Sequence, residues 1–224
     1  MTNKSSGNLV SSRSPPPPNS IFIPLDLFFC KDSSLALPLI ALQYHQVKIN
    51  IKFKESAKDD VKNVKLISDY VYLDSFEREK VSSSEHDILI TQVQHIQRSG
   101  PNIELDFCHP CKELVWKTEG PLNNCTLILN GHNRMQPINA KYFQTMQPFN
   151  HHTNIPDIEE YIHVYSFALK PEENEPTGTC NFSKINRAML LLDGNDSNSI
   201  VDIWATNFNI LRIIGGMGGI AYSN

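Results

Sequence analysis

Short alternating apolar segments occur along most of the chain and predict β-strands rather than helices. Residues 47–53 alternate strictly, with Val, Ile, Ile and Phe on one side and Lys, Asn and Lys on the other. This pattern is typical of a half-buried antiparallel strand. Apolar runs at residues 21–29 and 70–73 predict two more strands, and Pro24 favours an edge or bulged position for the first. Three strands are too few to close a sandwich.

Strand signals recur after a charged stretch at residues 74–84, which predicts a turn or a short helix between domains. Eight short segments predict the strands of a jelly-roll sandwich: residues 88–93, 103–107, 112–116, 126–129, 162–169, 188–192, 200–205 and 210–214. The separators have turn chemistry, most clearly Asn130-Gly131, which predicts a tight hairpin. Residues 139–146 predict one or two turns of helix. The fold class is therefore all-β.

The first 20 residues are polar and end in four prolines, Pro15 to Pro18. This composition favours polyproline II and cannot bury enough apolar surface to fold, so we interpret the segment as a disordered arm. The whole chain has 224 residues, 40% of them hydrophobic. That is enough for one good core, or for one β-domain and a fragment of another.

Charge and cysteine content exclude several classes of function. A net charge of -4 gives no general attraction to nucleic acid or to anionic membranes, so we expect no direct nucleic-acid partner. No apolar run reaches the roughly 20 residues of a membrane span, so we expect no membrane insertion. Five cysteines, an odd number, favour free thiols in a protein that folds in a reducing cytosol.

Two motifs have the residue types of metal or catalytic sites. Cys108-His109-Pro110-Cys111 has CxxC spacing, but no second ligand pair follows it, which favours structural thiols over zinc or redox chemistry. His151-His152, with His163 and Asp157, contains possible metal ligands or a general base. A solvated pair or a pair at a subunit contact is the commoner role, and a pH effect on assembly is an open hypothesis.

Two further features are assigned structural roles. Residues 215–219 are glycine-rich but lack the lysine and Ser/Thr of a phosphate-binding loop, so they predict a close-packed chain terminus. Four glycosylation sequons occur, and we interpret their asparagines as surface or turn residues: Asn3, Asn124, Asn181 and Asn195. We assign no catalytic, cofactor-binding or metal-binding residue, and expect neither a cofactor nor enzymatic activity.

Several ordered segments resemble the major capsid proteins of nucleocytoplasmic large DNA viruses, of phycodnavirus, iridovirus and mimivirus type. Residues 23–45 and 72–78 are similar to the end of the first of two jelly rolls in that family. Residues 86–94 and 109–116 resemble strands of the second. The longest similarity is in the C-terminal third, at residues 165–183 and 205–224.

The resemblance implies a domain organisation and a role. We expect an arm at residues 1–20, the remnant of a first jelly roll at 21–80, and a complete second jelly roll at 85–224. Family members assemble as trimeric pseudo-hexagonal capsomers, so the implied partners are other copies of this chain, full-length capsid subunits and neighbouring capsomers. The implied location is the virion, after assembly in the host cytoplasm. Unpaired strand edges in residues 21–73 would need cover from another chain or from the arm.

Two other functions are compatible with a jelly roll. A carbohydrate-binding or host-attachment module would need aromatic and carboxylate side chains in one crown of loops. A cupin-type metalloenzyme would need histidines two positions apart on one strand, which this sequence lacks. For the structural role we expect Trp116, Phe167, Phe182 and Trp204 in the core.

Overall fold

The computed structural model describes residues 21–25, 27–53 and 63–223, and its contacts divide the chain into two units, 1–36 and 37–224. The predicted arm lies outside the described residues. The first unit contains helix α1 (Phe28–Lys31) and a 3-10 turn (Ser33–Leu35), which begins where Asp32 accepts a 2.7 Å hydrogen bond from the Ser34 amide. A short helix thus forms where the sequence predicted the end of a strand.

The second unit contains nearly all the regular structure. Its first elements are a 3-10 turn (Leu39–Ala41) and helix α2 (Ser75–Ser83). Its other helices are α3 (Ala140–Gln144), α4 (Met146–His151) and the 3-10 turns Ile158–Glu160 and Phe182–Lys184. Its strands are β1 (His86–Ser99), β2 (Asn102–Glu104), β3 (Pro110–Thr118), β4 (Asn124–Leu129), β5 (His132–Asn133), β6 (Ile138–Asn139), β7 (Ile162–Ser166), β8 (Cys180–Asn181), β9 (Ala188–Asp193), β10 (Ile200–Ile214) and β11 (Met217–Ile220).

These strands form two antiparallel sheets. Sheet A has the order β1-β10-β3-β7, with β8 added to β3 and β11 added to β10. Sheet B has the order β2-β9-β4-β5, with β6 added to β4. Apart from the hairpins β4–β5 and β10–β11, most neighbours in each sheet are distant in sequence, and the chain passes repeatedly from one sheet to the other. This arrangement is a jelly roll, and it confirms the predicted fold class.

Strand β10 is longer than the sequence predicted, because residues 200–205 and 210–214 belong to one strand. It pairs with β1 along its whole length, from His86 opposite Ile213 to Ser99 opposite Ile200. The polar residues between the two predicted strands do not end it because they have partners. Asn209 donates to Gln92 at 2.9 Å, and Asn207 accepts from Gln94 at 2.9 Å.

The core lies between the inner faces of the two sheets. Its largest buried side chains include Trp116, Leu114 and Ile203 from sheet A and Leu190 and Leu192 from sheet B. A series of aromatic contacts runs along one side of it, with ring centroids 5.0 to 6.5 Å apart, through Trp116, Phe143, Tyr165, Phe167, Phe182 and Phe107. Such pairs stabilise a core beyond the area they bury.

Three of the four predicted core aromatics contribute to this core, but Trp204 does not. Trp116 and Phe182 are buried, and Phe167 is half-buried against them. Trp204 lies on the outer face of sheet A, where it stacks on His95 with centroids 5.1 Å apart. Asp202, two positions before Trp204, is the local signal that this side of the strand faces outward, because alternate residues of a strand share a face. The period of two in β10 places Ile203 and Ala205 inside and Trp204 outside.

Local sequence signals account for several connections. Asn130 and Gly131 both have positive φ, 51° and 80°, and join β4 to β5 as the predicted hairpin. Helix α2 begins with a capping box, in which Asp74 and Glu77 each accept a hydrogen bond from the other's backbone amide. The predicted turn or helix at residues 74–84 is therefore a helix.

The strands predicted at residues 21–29, 47–53 and 70–73 are wrong for this chain as it stands. In the described part of residues 21–73 no residue belongs to a strand. Residues 47–53 are exposed on both sides, including the apolar side. An alternating sequence forms a strand only when a neighbouring strand accepts its backbone hydrogen bonds, and the described residues contain no such neighbour for these segments.

Part of the N-terminal region nevertheless packs on the jelly roll, at the hairpin of β10 and β11. The Tyr44 amide donates to Gly216 O at 2.9 Å, and the Gly218 amide lies 3.1 Å from His45 Nδ1. A Cβ added to Gly216 would lie 2.6 Å from the Tyr44 ring, and one added to Gly218 would lie 2.8 Å from Leu42. The C-terminal glycines therefore permit a tight turn and a close approach of residues 42–45.

Substitution of Gly216 by alanine should weaken this contact. Gly216 has a φ of 84°, and its Cβ would clash with Tyr44. We expect Gly216→Ala to lower the free energy of unfolding by about 1–3 kcal/mol, measured by urea denaturation.

Gly219→Ala is the matched control, because nothing lies within 4 Å of a Cβ there and its φ is ordinary. It should change stability by less than about 0.5 kcal/mol. Equal effects of the two substitutions would contradict the proposed close packing.

Candidate functional site

The structure does not bring the cysteines of the CxxC motif together as the ligands of a metal site. Cys108 lies in the loop before β3, and Cys111 is buried on β3 opposite Cys180 of β8. Burial raises the pKa of the Cys111 thiol far above its ordinary value, so the thiol stays protonated. Among the described residues, no group of three or more His, Cys, Asp or Glu is arranged to hold a metal ion.

The histidine set is also dispersed. His163 is fully buried on β7, stacked on Trp116 with centroids 5.5 Å apart, and burial lowers its pKa to about 4. Asp157 accepts from the Glu159 amide and caps a 3-10 turn. His151 contacts the Leu169 carbonyl at 2.9 Å. Only His152 meets other charged side chains.

His152 lies between two carboxylates and forms what we term the histidine clasp: His152, Glu113 and Glu172. Its Nε2 is 3.1 Å from Glu113 Oε2 on β3, and its Nδ1 is 3.4 Å from Glu172 Oε1 in the loop after β7. Glu113 also accepts a 3.0 Å hydrogen bond from Thr206 on β10. The clasp therefore joins the end of α4, the loop after β7 and the outer face of sheet A.

The clasp carries charge in a mostly buried place. Only 12% of the Glu113 side chain and 18% of the His152 side chain are exposed. Burial opposes ionisation of Glu113, but His152 and Thr206 outweigh it and hold the pKa of that carboxyl below its ordinary value. The adjacent Glu113 carboxylate raises the pKa of His152. Each group favours the charged form of the other.

Sequence analysis singled out His152 but not its partners. Glu113, Glu172 and Thr206 are far from His152 along the chain, and no local motif connects them. The alternation of β3 is the one available signal, because it places Glu113 on the face opposite the buried Leu114 and Trp116. Tertiary packing brings the three segments together.

The outer face of sheet A also exposes a small polar and aromatic group. His95 Nε2 contacts Asp202 at 2.8 Å, and the His95 ring stacks on Trp204. Gln97 donates to the same carboxylate at 3.1 Å. The group lies on a flat sheet rather than in the crown of loops that the attachment-module alternative requires.

Three of the four sequons lie in described residues, and their asparagine side chains have protein partners. Asn124 donates to Asp193 at 3.1 Å, and Asn195 donates to the Gly100 carbonyl at 2.9 Å. Asn181 accepts from the Ser183 amide at 3.1 Å. These contacts fit turn and surface roles. Asn3 lies outside the described residues.

Exposed apolar surface is concentrated in the described residues before α2. In residues 47–53 four apolar side chains are 40–51% exposed: Val47, Ile49, Ile51 and Phe53. In residues 64–72 six large apolar side chains are 59–92% exposed: Val64, Leu66, Ile67, Tyr70, Val71 and Tyr72. Exposed apolar side chains in such number, close together along the chain, are typical of interaction sites. In the described part of the chain, no helix is long and apolar enough to cross a bilayer.

Comparison with known proteins gives consistent matches. Residues 117–219 match the family model described as large eukaryotic DNA virus major capsid protein, and residues 2–74 match that described as major capsid protein N-terminus. The major capsid protein of Pyramimonas orientalis virus is 41% identical over 92% of this chain and 62% of its own length. That of Phaeocystis pouchetii virus is 28% identical over 93% of this chain and 66% of its own length.

Solved structures agree with the sequence matches. A quasi-atomic model of the PBCV-1 virus capsid is similar with a TM-score of 0.73 and 28% identity, over 90% of this chain and 70% of that one. The chain spans less than two thirds of the length of the curated relatives described above. The similarity therefore covers nearly all of this chain but only part of each relative.

The histidine clasp predicts a pH-dependent stability. The contribution of His152 is complete below the ordinary imidazole pKa of 6.5 and is lost as pH rises through its raised folded value. That of Glu113 is complete above 4.5 and is lost as pH falls through its lowered folded value. We expect His152→Ala to cost about 2–4 kcal/mol at pH 6, because a buried carboxylate loses its partner.

Urea denaturation from pH 3 to pH 9 checks this expectation. The difference between His152→Ala and the unmodified chain should shrink towards both ends of the range. His132→Ala, at an exposed position on β5, is the control and should change stability by less than about 0.5 kcal/mol throughout. A pH-independent cost for His152→Ala would contradict the ion-pair account.

Proposed function

The chain belongs to the major capsid protein family of large eukaryotic DNA viruses, and on that premise we propose that it is a structural component of an icosahedral virus shell. The observation that carries the proposal is the jelly roll of residues 86–220. Its strand order has the alternation between two sheets that capsid jelly rolls use, and its similarity to a capsid structure extends over most of the chain.

The proposed structural role requires surfaces that contact other subunits and does not require catalytic residues. A shell subunit requires a rigid core, broad lateral faces and loops that contact neighbours. The closely packed aromatic core and the two sheet faces supply the first two. The histidine clasp contributes to the third, because it fixes the loop after β7 and the end of α4 to sheet A. We propose that the chain acts through protein–protein contacts and not as an enzyme.

We further propose assembly into trimeric, pseudo-hexagonal capsomers. A trimer of subunits that each carry two similar barrels presents six wedges around a threefold axis. The jelly roll of this chain supplies one wedge. The other is represented by residues 21–80, which we propose to be the remnant of a first jelly roll. The partners are then copies of this chain or longer capsid subunits, within the virion, after assembly in the host cytoplasm.

The apolar surface before α2 supports an association of this kind. Side chains in residues 47–53 and 64–72 remain exposed in the isolated chain. Monomeric proteins rarely leave so many apolar side chains exposed within two short segments. Association would bury it, whether the partner is identical or longer.

Native mass spectrometry tests the proposal, on the purified chain alone and mixed with the full-length major capsid protein of Pyramimonas orientalis virus. We expect trimers, either of this chain alone or containing both proteins, because capsomers need three subunits around one axis. The same mixture with bovine serum albumin controls for non-specific association. A chain that stays monomeric in both samples would contradict the proposed role.

A further inference from the structure

Residues 47–53, which we term the docking strand, have the alternating sequence of a β-strand. In the described structure, however, they belong to no sheet. Val47, Ile49, Ile51 and Phe53 occupy one side, and no residue of the segment is in a strand. The backbone polar groups of such a segment are free to pair with another chain. Its sequence is therefore suited to strand addition, in which main-chain hydrogen bonds supply affinity and alternate side chains supply specificity.

The docking strand starts from a fixed point. The preceding residues 44 and 45 are hydrogen-bonded to the hairpin of β10 and β11, through Gly216 and Gly218. The close approach of Tyr44 to Gly216 leaves little freedom at this anchor. The strand therefore leaves the jelly roll from a defined position, which lowers the entropic cost of binding a partner.

The sequence of the strand argues against pairing with itself. In a symmetric antiparallel pair centred on Asn50, Lys48 of one copy lies opposite Lys52 of the other, and this happens twice. Like charges directly opposite each other destabilise a strand pair. The four consecutive prolines at 15–18 are equally unsuitable, because proline has no N–H to donate to a ladder. A partner strand with neutral or acidic side chains on that side fits better.

The relatives indicate where such a strand comes from. Their alignments with this chain extend over 244 and 345 residues, longer than the 224 residues of the chain itself. The relatives thus carry stretches, within the matched region, that this chain lacks. Strand partners absent here are expected in those stretches.

We propose that the docking strand adds to an antiparallel sheet of a second polypeptide that carries these missing stretches. The apolar side would face the interior of that sheet's domain, and Lys48 and Lys52 would lie on its polar side. The inference rests on the proposed function for the identity of the partner as a capsid-type protein. It assigns the contact to particular residues of this chain.

Binding to a defined fragment tests the inference. The probe is the first-domain portion of the Pyramimonas orientalis virus major capsid protein, expressed without the stretch aligned to residues 47–53. Its affinity for the full chain is measured by isothermal titration calorimetry. Ile51→Asp places a charge on the apolar side and should weaken binding by at least about 30-fold, as loss of a buried anchor does.

Asn50→Asp is the matched control. It adds the same charge at the neighbouring position on the polar side and should change affinity by less than about 3-fold. Both positions are exposed and outside the sheets, so both variants should keep the melting temperature of the unmodified chain. Amide hydrogen exchange on the complex should show new protection within residues 47–53.

Three results would overturn the inference: no binding of the fragment, equal weakening by both substitutions, or self-association of the chain that Ile51→Asp abolishes. The last result would make a second copy the occupant. The native-mass experiment separates this inference from the proposed function. Trimers without fragment binding would contradict only the docking-strand inference. Fragment binding without any trimer would contradict the proposed capsomer role.

Discussion

The hydrogen-bond ladder of β10 is the constraint on which the rest of the structure depends. One edge of this strand pairs with β1 along its whole length, and the other pairs first with β3 and then with β11. Because β10 extends past the end of β3, β11 continues the sheet, and the turn between β10 and β11 must be tight. That turn is the site at which residues 42–45 pack against Gly216 and Gly218. The position of residues 42–45 thus follows from the length of one strand.

The two faces of sheet A have different roles. The inner face carries the apolar and aromatic side chains that form the core with sheet B. The outer face carries charged and polar groups, and three pairs form among or with them: Arg212 with Asp87, His95 with Asp202, and Glu113 with His152. The first two pairs are exposed and contribute little to stability. The third pair is mostly buried, and its ionisation makes the stability of the fold depend on pH.

Sequence alone predicted the jelly roll well because period-two alternation and turn chemistry are local signals. The Asn130-Gly131 hairpin and the strands around Leu114 and Leu190 follow from them directly. Trp204 was misplaced, because a large aromatic side chain suggested the core and Asp202 was the one charged neighbour that marked its side of the strand as outward. The partners of His152 could not be found, because they come from separate elements.

The prediction of a strand at residues 47–53 was wrong for a different physical reason. The alternation is real, but a strand is a property of a pair, and the described structure contains no neighbour for this segment. The alternating sequence of this segment predicts a strand, but the structure of the chain alone has none there. Such a disagreement is expected where a segment's sequence suits an interaction with a partner. We propose that the exposed apolar side of that segment contacts other capsid subunits, beside which the jelly roll is placed in the shell.

Quantitative mass spectrometry of shells from purified virus particles, stripped of lipid and genome, tests the central claim most directly. The account predicts that peptides of this chain remain in the shell fraction in a constant ratio to the full-length capsid protein. Their absence from that fraction, with the chain found only in infected-cell lysate, would contradict it.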